Sequence, residues 1–133
     1  MAALKLEIVT PEKRVLTTAA DEVRAPGVQG GFGIRANHLP FMTALDPGRL
    51  TYVLDGKEHH YAIGGGFLQV ADNKVIVLAD TAEAASEIDV ERAKKAYAES
   101  SERVRAMTEQ DQNHPVESAR VRRATARLGV AGR

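Results

Sequence analysis

Over the first 85 residues, apolar and polar positions alternate in short runs. Leu4, Leu6 and Ile8, separated by Lys5 and Glu7, put three aliphatic side chains on one face of an extended segment that Pro11 ends. Glu22-Val23-Arg24 comes next, and Pro26-Gly27 and Pro47-Gly48 turn the chain. Residues 50–54 and 57–63 flank Asp55-Gly56, a strong two-residue hairpin signal. Residues 67–70 and 75–78 flank a polar turn over 71–74, and Phe67, Leu68 and Val70 are read as core in preference to an interface. Many short strands with regular turns imply an antiparallel sandwich or barrel.

From about residue 79 the pattern lengthens to a helical period. Asp89 caps a helix that starts at Val90 and runs to about 109. Val90, Ala93, Tyr97, Val104 and Met107 fall on one of its faces. A polar link over 111–115 ends in Pro115, which suits an early helical position. A second helix is expected over about 116–128, with Gly129 as its stop. Each helix carries only a narrow, Ala-rich apolar stripe. At about 25 cal/mol per Å2, such a hairpin buries little and holds its place weakly. Nine of the 11 glycines and four of the five prolines lie in residues 1–85. That places a boundary between a strand-rich domain, 1–85, and a helical one, 86–133.

Composition narrows the chemistry. The 133 residues are 44% hydrophobic and 27% charged, which suits a folded chain rather than a disordered one. The 18 basic and 18 acidic side chains cancel, so no global field draws the chain to nucleic acid or acidic lipid. Charge is uneven locally: residues 116–133 hold five arginines against Glu117 alone, a net of +4. Cysteine is absent, which excludes disulfides, thiolate metal sites and cysteine nucleophiles. No aliphatic run approaches the ~20 residues that span a bilayer. The opening residues read as a strand rather than a signal peptide, which suits a protein kept inside the cell.

Catalytic motifs are missing. Gly64-Gly65-Gly66 is followed by Phe67, not by the lysine of a phosphate loop, and Gly30-Gly31-Phe32-Gly33 opens no helix. There is no HExxH and no GxSxG. His59 and His60 are adjacent in a strand and point to opposite faces, so one metal does not take both. No metal site is expected.

Three stretches, in order, resemble the epsilon subunit of F-type ATP synthases. The first is Gly30-Gly31-Phe32-Gly33-Ile34 leading to Asn37-His38-Leu39-Pro40-Phe41-Met42. The second is Gly64-Gly65-Gly66-Phe67-Leu68-Gln69-Val70, running on to Leu78-Ala79-Asp80-Thr81-Ala82-Glu83. The third is Ile88-Asp89-Val90-Glu91-Arg92-Ala93, which looks like the family's [IL]-D-x-x-R-A signature; the tail around Arg123-Ala124-Thr125-Ala126-Arg127 is also similar. The resemblance implies a β+α fold: an N-terminal antiparallel β-sandwich of about ten strands, followed by a C-terminal two-helix hairpin. It implies a non-catalytic rotor subunit that docks on gamma and on the c ring. The hairpin would fold onto the sandwich, or extend into the alpha/beta head and block ATP hydrolysis. It further implies a peripheral place on the cytoplasmic side of a bacterial membrane. Many members carry Pro-Gly where this chain has Ala36-Asn37 before His38, and Asn tolerates turn geometry.

The resemblance also nominates residues, each with a plainer alternative. Glu83, Ile88, Asp89, Arg92, Ala93, Arg123 and Arg127 match positions that bind ATP in some bacterial members, so ATP is a candidate weak regulatory ligand. Arg123 and Arg127 are i and i+4, on one helix face, and arginine forks suit phosphate. A first-helix arginine of some ATP binders is replaced here by Glu99. The plainer reading of Asp89 is a helix cap worth about 1 kcal/mol. Arg120, Arg122, Arg123 and Arg127 are candidate contacts to acidic segments of the beta subunits, or else a solvated basic face. Gly30, Gly31, Phe32 and His38 are candidate contacts to the c ring, or else a structural loop. No other cofactor and no nucleic-acid partner is expected. The competing functional reading is a free-standing ATP-sensing binding module; an enzyme on a small sandwich scaffold is a third.

Overall fold

A computed structural model describes residues 4–132. Eight strands come first: β1 (Leu4–Val9), β2 (Arg14–Ala20), β3 (Glu22–Gly27), β4 (Gly30–Arg35), β5 (Phe41–Leu54), β6 (Lys57–Ala71), β7 (Lys74–Ala79) and β8 (Ala82–Ala84). A short 3-10 turn, Ala85–Glu87, leads to helices α1 (Val90–Ala106) and α2 (His114–Ala131). The strands form one continuous sheet in the order β2-β1-β7-β6-β5-β3-β4, with β8 added beside β6. All pairings are antiparallel except β1 with β7, which is parallel.

Strand parity shows how this one sheet becomes a sandwich. On β5, Leu45 faces the core at one end and Leu50 and Tyr52 at the other; on β6, Ile63 does so first and then Leu68 and Val70. An odd residue and an even residue of one strand cannot face the same way unless the strand twists over between them. The switch falls at Asp46-Pro47-Gly48 and, across the ladder, at Gly64-Gly65-Gly66. Gly65 and Gly66 take φ of 102° and 142°, which only glycine adopts without strain. A side chain at Gly66 would also collide with the Leu78 carbonyl. β5 and β6, 14 and 15 residues long, therefore serve both layers, and eight strands do the work of about ten. Between the layers lies one aliphatic core that includes Leu6, Ile8, Val23, Ile34, Leu50, Leu68, Val75 and Val77.

The turns obey their residues. Asp55 and Gly56 have φ of 53° and 76°, and Asp72 and Asn73 have 50° and 60°. Both are tight two-residue connections whose left-handed backbone matches strand twist. The helices depart from expectation in detail. α1 stops at Ala106 rather than near 109, and α2 begins at His114, with Pro115 in its first turn. Gly129 does not stop α2: the helix runs through it to Ala131 and is capped at Gly132. The α1 stripe is also rotated. Ala93 and Ser100 are buried, whereas Val90 and Tyr97 are exposed. Small residues on the contact side let the helices approach closely, and that outweighs burial of the larger side chains.

Candidate functional site

The helical hairpin lies on the outer face of the layer that contains β3, β4 and the first half of β6. Ala62 of β6 pairs with Glu83 of β8, so both point outward together. Over them sits a second, small apolar cluster of Ala62, Ile88, Ala126 and Val130. Arg127 Nε donates to Glu83 Oε1 at 2.6 Å, and Arg122 Nη1 donates to Asp46 Oδ1 at 3.3 Å. Two ion pairs and four buried side chains thus hold α2 to the sandwich.

A cavity of about 310 Å3 opens where β8, the 3-10 turn and both helices meet, lined by Glu83, Glu87, Asp89, Arg92, Ala93, Ala96 and Arg127. Five of the seven residues nominated for ATP line it. Ile88 lies outside, buried in the apolar cluster. Arg123 is also outside, with its stem against Gly64. A four-residue step still rotates a side chain by about 40° around the helix, enough to separate Arg123 from Arg127 here. Most of the charged groups in the cavity are already engaged. Asp89 Oδ1 accepts the Arg92 backbone N–H at 3.0 Å as a helix cap, and Glu87 Oε1 accepts the Ala84 N–H at 3.0 Å. Three carboxylates face two guanidinium groups, a formal charge of −1.

The basic face of α2 is largely turned to the chain's own acids. Arg120 pairs with Glu117 at 2.7 Å, and Arg103 of α1 reaches the same buried carboxylate at 3.5 Å. Arg122 and Arg127 hold Asp46 and Glu83. Burial, followed by the neighbouring Arg127 and Arg120, pushes the Arg123 guanidinium below its ordinary pKa.

The nominated c-ring contacts gather at one end of the sandwich. Gly30 and Gly31 start β4 at its turn with β3. The Phe32 ring meets Phe41 edge-on at 5.5 Å, and the His38 ring lies 5.9 Å from the same Phe41. Asn37 takes φ of 65°, and its N–H donates to Asn73 Oδ1 at 2.6 Å. The turn before His38 is thereby tied to the β6–β7 turn.

The sequence reading missed an apolar outer face. Phe67 is not core: it is 57% exposed, beside Leu78 at 56% and near Met42 at 69%, with Leu39 at 79% beyond them. The ladder aligns Ala44, Phe67 and Leu78 across three strands, and Met42, Gln69 and Ile76 in the next row. The signal was present. Residues 75–78 are apolar at every position, and a strand apolar on both sides is one covered on both sides. A polar cluster was missed as well: Glu22 and Glu58 bracket Arg24 at 2.7 Å each, Arg35 reaches Glu22 at 2.8 Å, and the Thr51 hydroxyl lies 2.8 Å from His60 Nδ1.

A sandwich with a docked hairpin and an apolar outer face has the form of an assembly module. The family comparisons agree. Residues 3–85 match the model of the ATP synthase delta/epsilon chain β-sandwich domain, and residues 86–132 that of its long α-helix domain. The chain belongs to the delta/epsilon family of ATP synthase subunits. It is 74% identical over 131 residues to the ATP synthase epsilon chain of Anaeromyxobacter sp. (strain K), covering 98% of this chain and 99% of that one. It is 47% identical to that of Myxococcus xanthus (strain DK1622), covering 98% and 96%. The fold is also that of a chain in the Euglena gracilis mitochondrial ATP synthase OSCP/F1/c-ring structure, with TM-score 0.81 and 24% identity over 100% of this chain and 83% of that one. A chain in the Tetrahymena thermophila central stalk/c-ring structure matches with TM-score 0.57 and 18% identity, covering 95% and 92%.

Proposed function

We propose that this subunit turns with the central stalk, docking on gamma through its apolar outer sheet face and meeting the c ring through the tip at Gly30, Gly31, Phe32 and His38. The carrying observation is the patch of Met42, Phe67 and Leu78, large apolar side chains from adjacent rows left in solvent on the sheet. A contiguous apolar patch on a folded domain marks a partner surface. The tip adjoins it through Phe32, His38 and Phe41. Attachment is peripheral, through the complex, a reading consistent with the lack, among the described residues, of a helix long and apolar enough to cross a membrane. Its place is the cytoplasmic side of a bacterial membrane, a reading supported by the bacterial relatives. The paired substitution Phe67→Glu, Leu78→Glu tests the face. The variant should keep the far-ultraviolet circular dichroism of the parent and lose co-purification with gamma. Undiminished capture of gamma sinks the assignment.

The hairpin supplies the regulatory half of the proposal. Once α2 leaves the sandwich, Arg122 and Arg127 part from Asp46 and Glu83, and Arg123 parts from β6. Together with Arg120, whose partner Glu117 stays on the same helix, they can meet acidic segments of the beta subunits in the alpha/beta head and restrain ATP hydrolysis. The Arg122–Asp46 pair that helps hold α2 down is about half exposed, and such pairs are individually worth under about 1 kcal/mol, which supports this.

ATP at the cavity is a second reading, favoured by the convergence of Glu83, Asp89, Arg92, Ala93 and Arg127. Phosphate would have to take Arg127 from Glu83 in a site of net −1, so the affinity is expected at the millimolar end, about 4 kcal/mol. Calorimetry of the isolated chain with Mg-ATP, beside Arg92→Ala with Arg127→Ala, tests it. Binding that the double variant loses places ATP here, and supports an ATP-sensing module if gamma capture also fails. No heat up to millimolar ATP removes the ligand.

A further inference from the structure

Three of the four α2 arginines have a carboxylate partner when the hairpin is docked; Arg123 does not. Among the described residues no carboxylate lies within 4 Å of its guanidinium. Its stem is pressed onto β6, with Cδ 3.2 Å from where a side chain at Gly64 would begin. Any residue but glycine at 64 would also collide with Thr81. The chain therefore brings α2 close enough to half-bury an arginine, and provides no acid in ion-pair contact.

The surroundings increase the cost. Arg127, Arg120 and Arg122 repel the Arg123 charge, and Asp80 attracts it from beyond ion-pair distance. A guanidinium taken partly out of water without a partner loses hydration that nothing replaces. With α2 undocked, that charge is hydrated again. Arg123 is thus a group whose charge is better accommodated in the undocked form. Opposing it are Ala62, Ile88, Ala126 and Val130 and the pairs of Arg127 with Glu83 and Arg122 with Asp46. Two of those four apolar side chains are alanines, so the apolar contribution is small.

We infer that Arg123 is a built-in destabiliser of the docked hairpin, set against the Arg127–Glu83 and Arg122–Asp46 latches, and keeps α2 poised near release. This rests on the reading that the hairpin leaves the sandwich, and deepens it by naming the residue that tunes the balance. The device is electrostatic, so partner chemistry can move it: an acidic segment that meets Arg123 only when α2 is free draws the equilibrium toward release, by its differential affinity for that form.

Hydrogen exchange of the isolated full-length chain, followed by mass spectrometry over residues 114–131, reads the opening directly. Arg123→Gln, which gains no apolar surface, should slow exchange in the 124–130 segment roughly two- to five-fold, the range of one partly exposed charge interaction. Arg123→Met should slow it at least as much. Arg127→Gln, which breaks a latch, should speed it by a similar factor. Asp80→Asn, which removes the one attracting acid, should also speed it. If Arg123→Gln leaves the rate unchanged or raises it while the hairpin still opens separately from the sheet, Arg123 is a docking contact and this inference alone fails. If residues 114–131 exchange only when the sandwich core does, the hairpin has no separate open state, and the reading beneath it fails too.

Discussion

Asn37 and Asn73 both sit in left-handed backbone, and the amide of one receives the N–H of the other. Asn73→Gly keeps the backbone and removes only the side chain. It should cost about 1 kcal/mol, chiefly the net worth of the short hydrogen bond from the Asn37 N–H, with little from the longer one that the Asn73 side-chain amide donates to Asn37 Oδ1 at 3.4 Å, read as a lower urea midpoint. Asn73→Ala should cost about 1 kcal/mol more, because left-handed backbone strains an alanine. Equal midpoints for the two variants would show that strain plays no part. Glu22 offers a pH test at the same scale. The Arg35 hydrogen bond, and after burial opposes it the Arg24 bond, hold its carboxyl below the ordinary 4.5. A carboxyl lowered on folding stabilises the fold above its unfolded pKa, and loses that effect as pH falls through the folded value. Stability should thus be flat with respect to Glu22 above about pH 5, and decline below it. Glu22→Gln should flatten that acid limb in thermal melts between about pH 5 and 3; an unchanged slope removes Glu22 from it.

At the scale of elements, two glycines separate local preference from tertiary demand. Gly129 lies exposed inside α2 with nothing within 4 Å of an added Cβ. Gly129→Ala should therefore stabilise the helix by about 0.5–1 kcal/mol, with a higher melting temperature. A lower melting temperature for that variant would mean that the backbone there is not helical in solution. Gly66 is the opposite case, with φ of 142° and the Leu78 carbonyl where a Cβ would go. Gly66→Ala should lose more than about 3 kcal/mol, or leave the chain unfolded, because strain and a steric clash add.

Across the whole molecule, the main core contains no residue of either helix. A chain ending after residue 87 should accordingly keep a cooperative unfolding transition, with the sheet intact and only the small cluster around Ala62 opened. Reassembled with its partners, it should still join gamma and should relieve inhibition of ATP hydrolysis. Hydrolysis equal to that with the full chain would remove the hairpin from regulation. Loss of gamma binding would move the docking surface onto the helices.

Much of this protein was legible along the chain. Alternation at Leu4, Leu6 and Ile8, the Asp55-Gly56 turn, the Asp89 cap and the change of period near residue 79 are local signals, each set by the backbone preferences of a few neighbouring residues. They determined a strand-rich sandwich with a helical hairpin behind it. The candidate sites were legible as residue types, because arginines, glycines and carboxylates carry their chemistry wherever they stand. Which of them meet was decided only by tertiary structure. Whether Phe67 faces core or solvent depends on the parity switch at Gly64-Gly65-Gly66, and that switch exists because β5 and β6 cross from one layer to the other. Whether Arg123 shares a cavity with Arg127 depends on how α2 lies against β6. Whether Gly129 ends α2 depends on Val130, which the cluster over Ala62 buries and so holds in the helix. These outcomes turn on contacts between segments far apart in sequence, whose energies no local pattern contains.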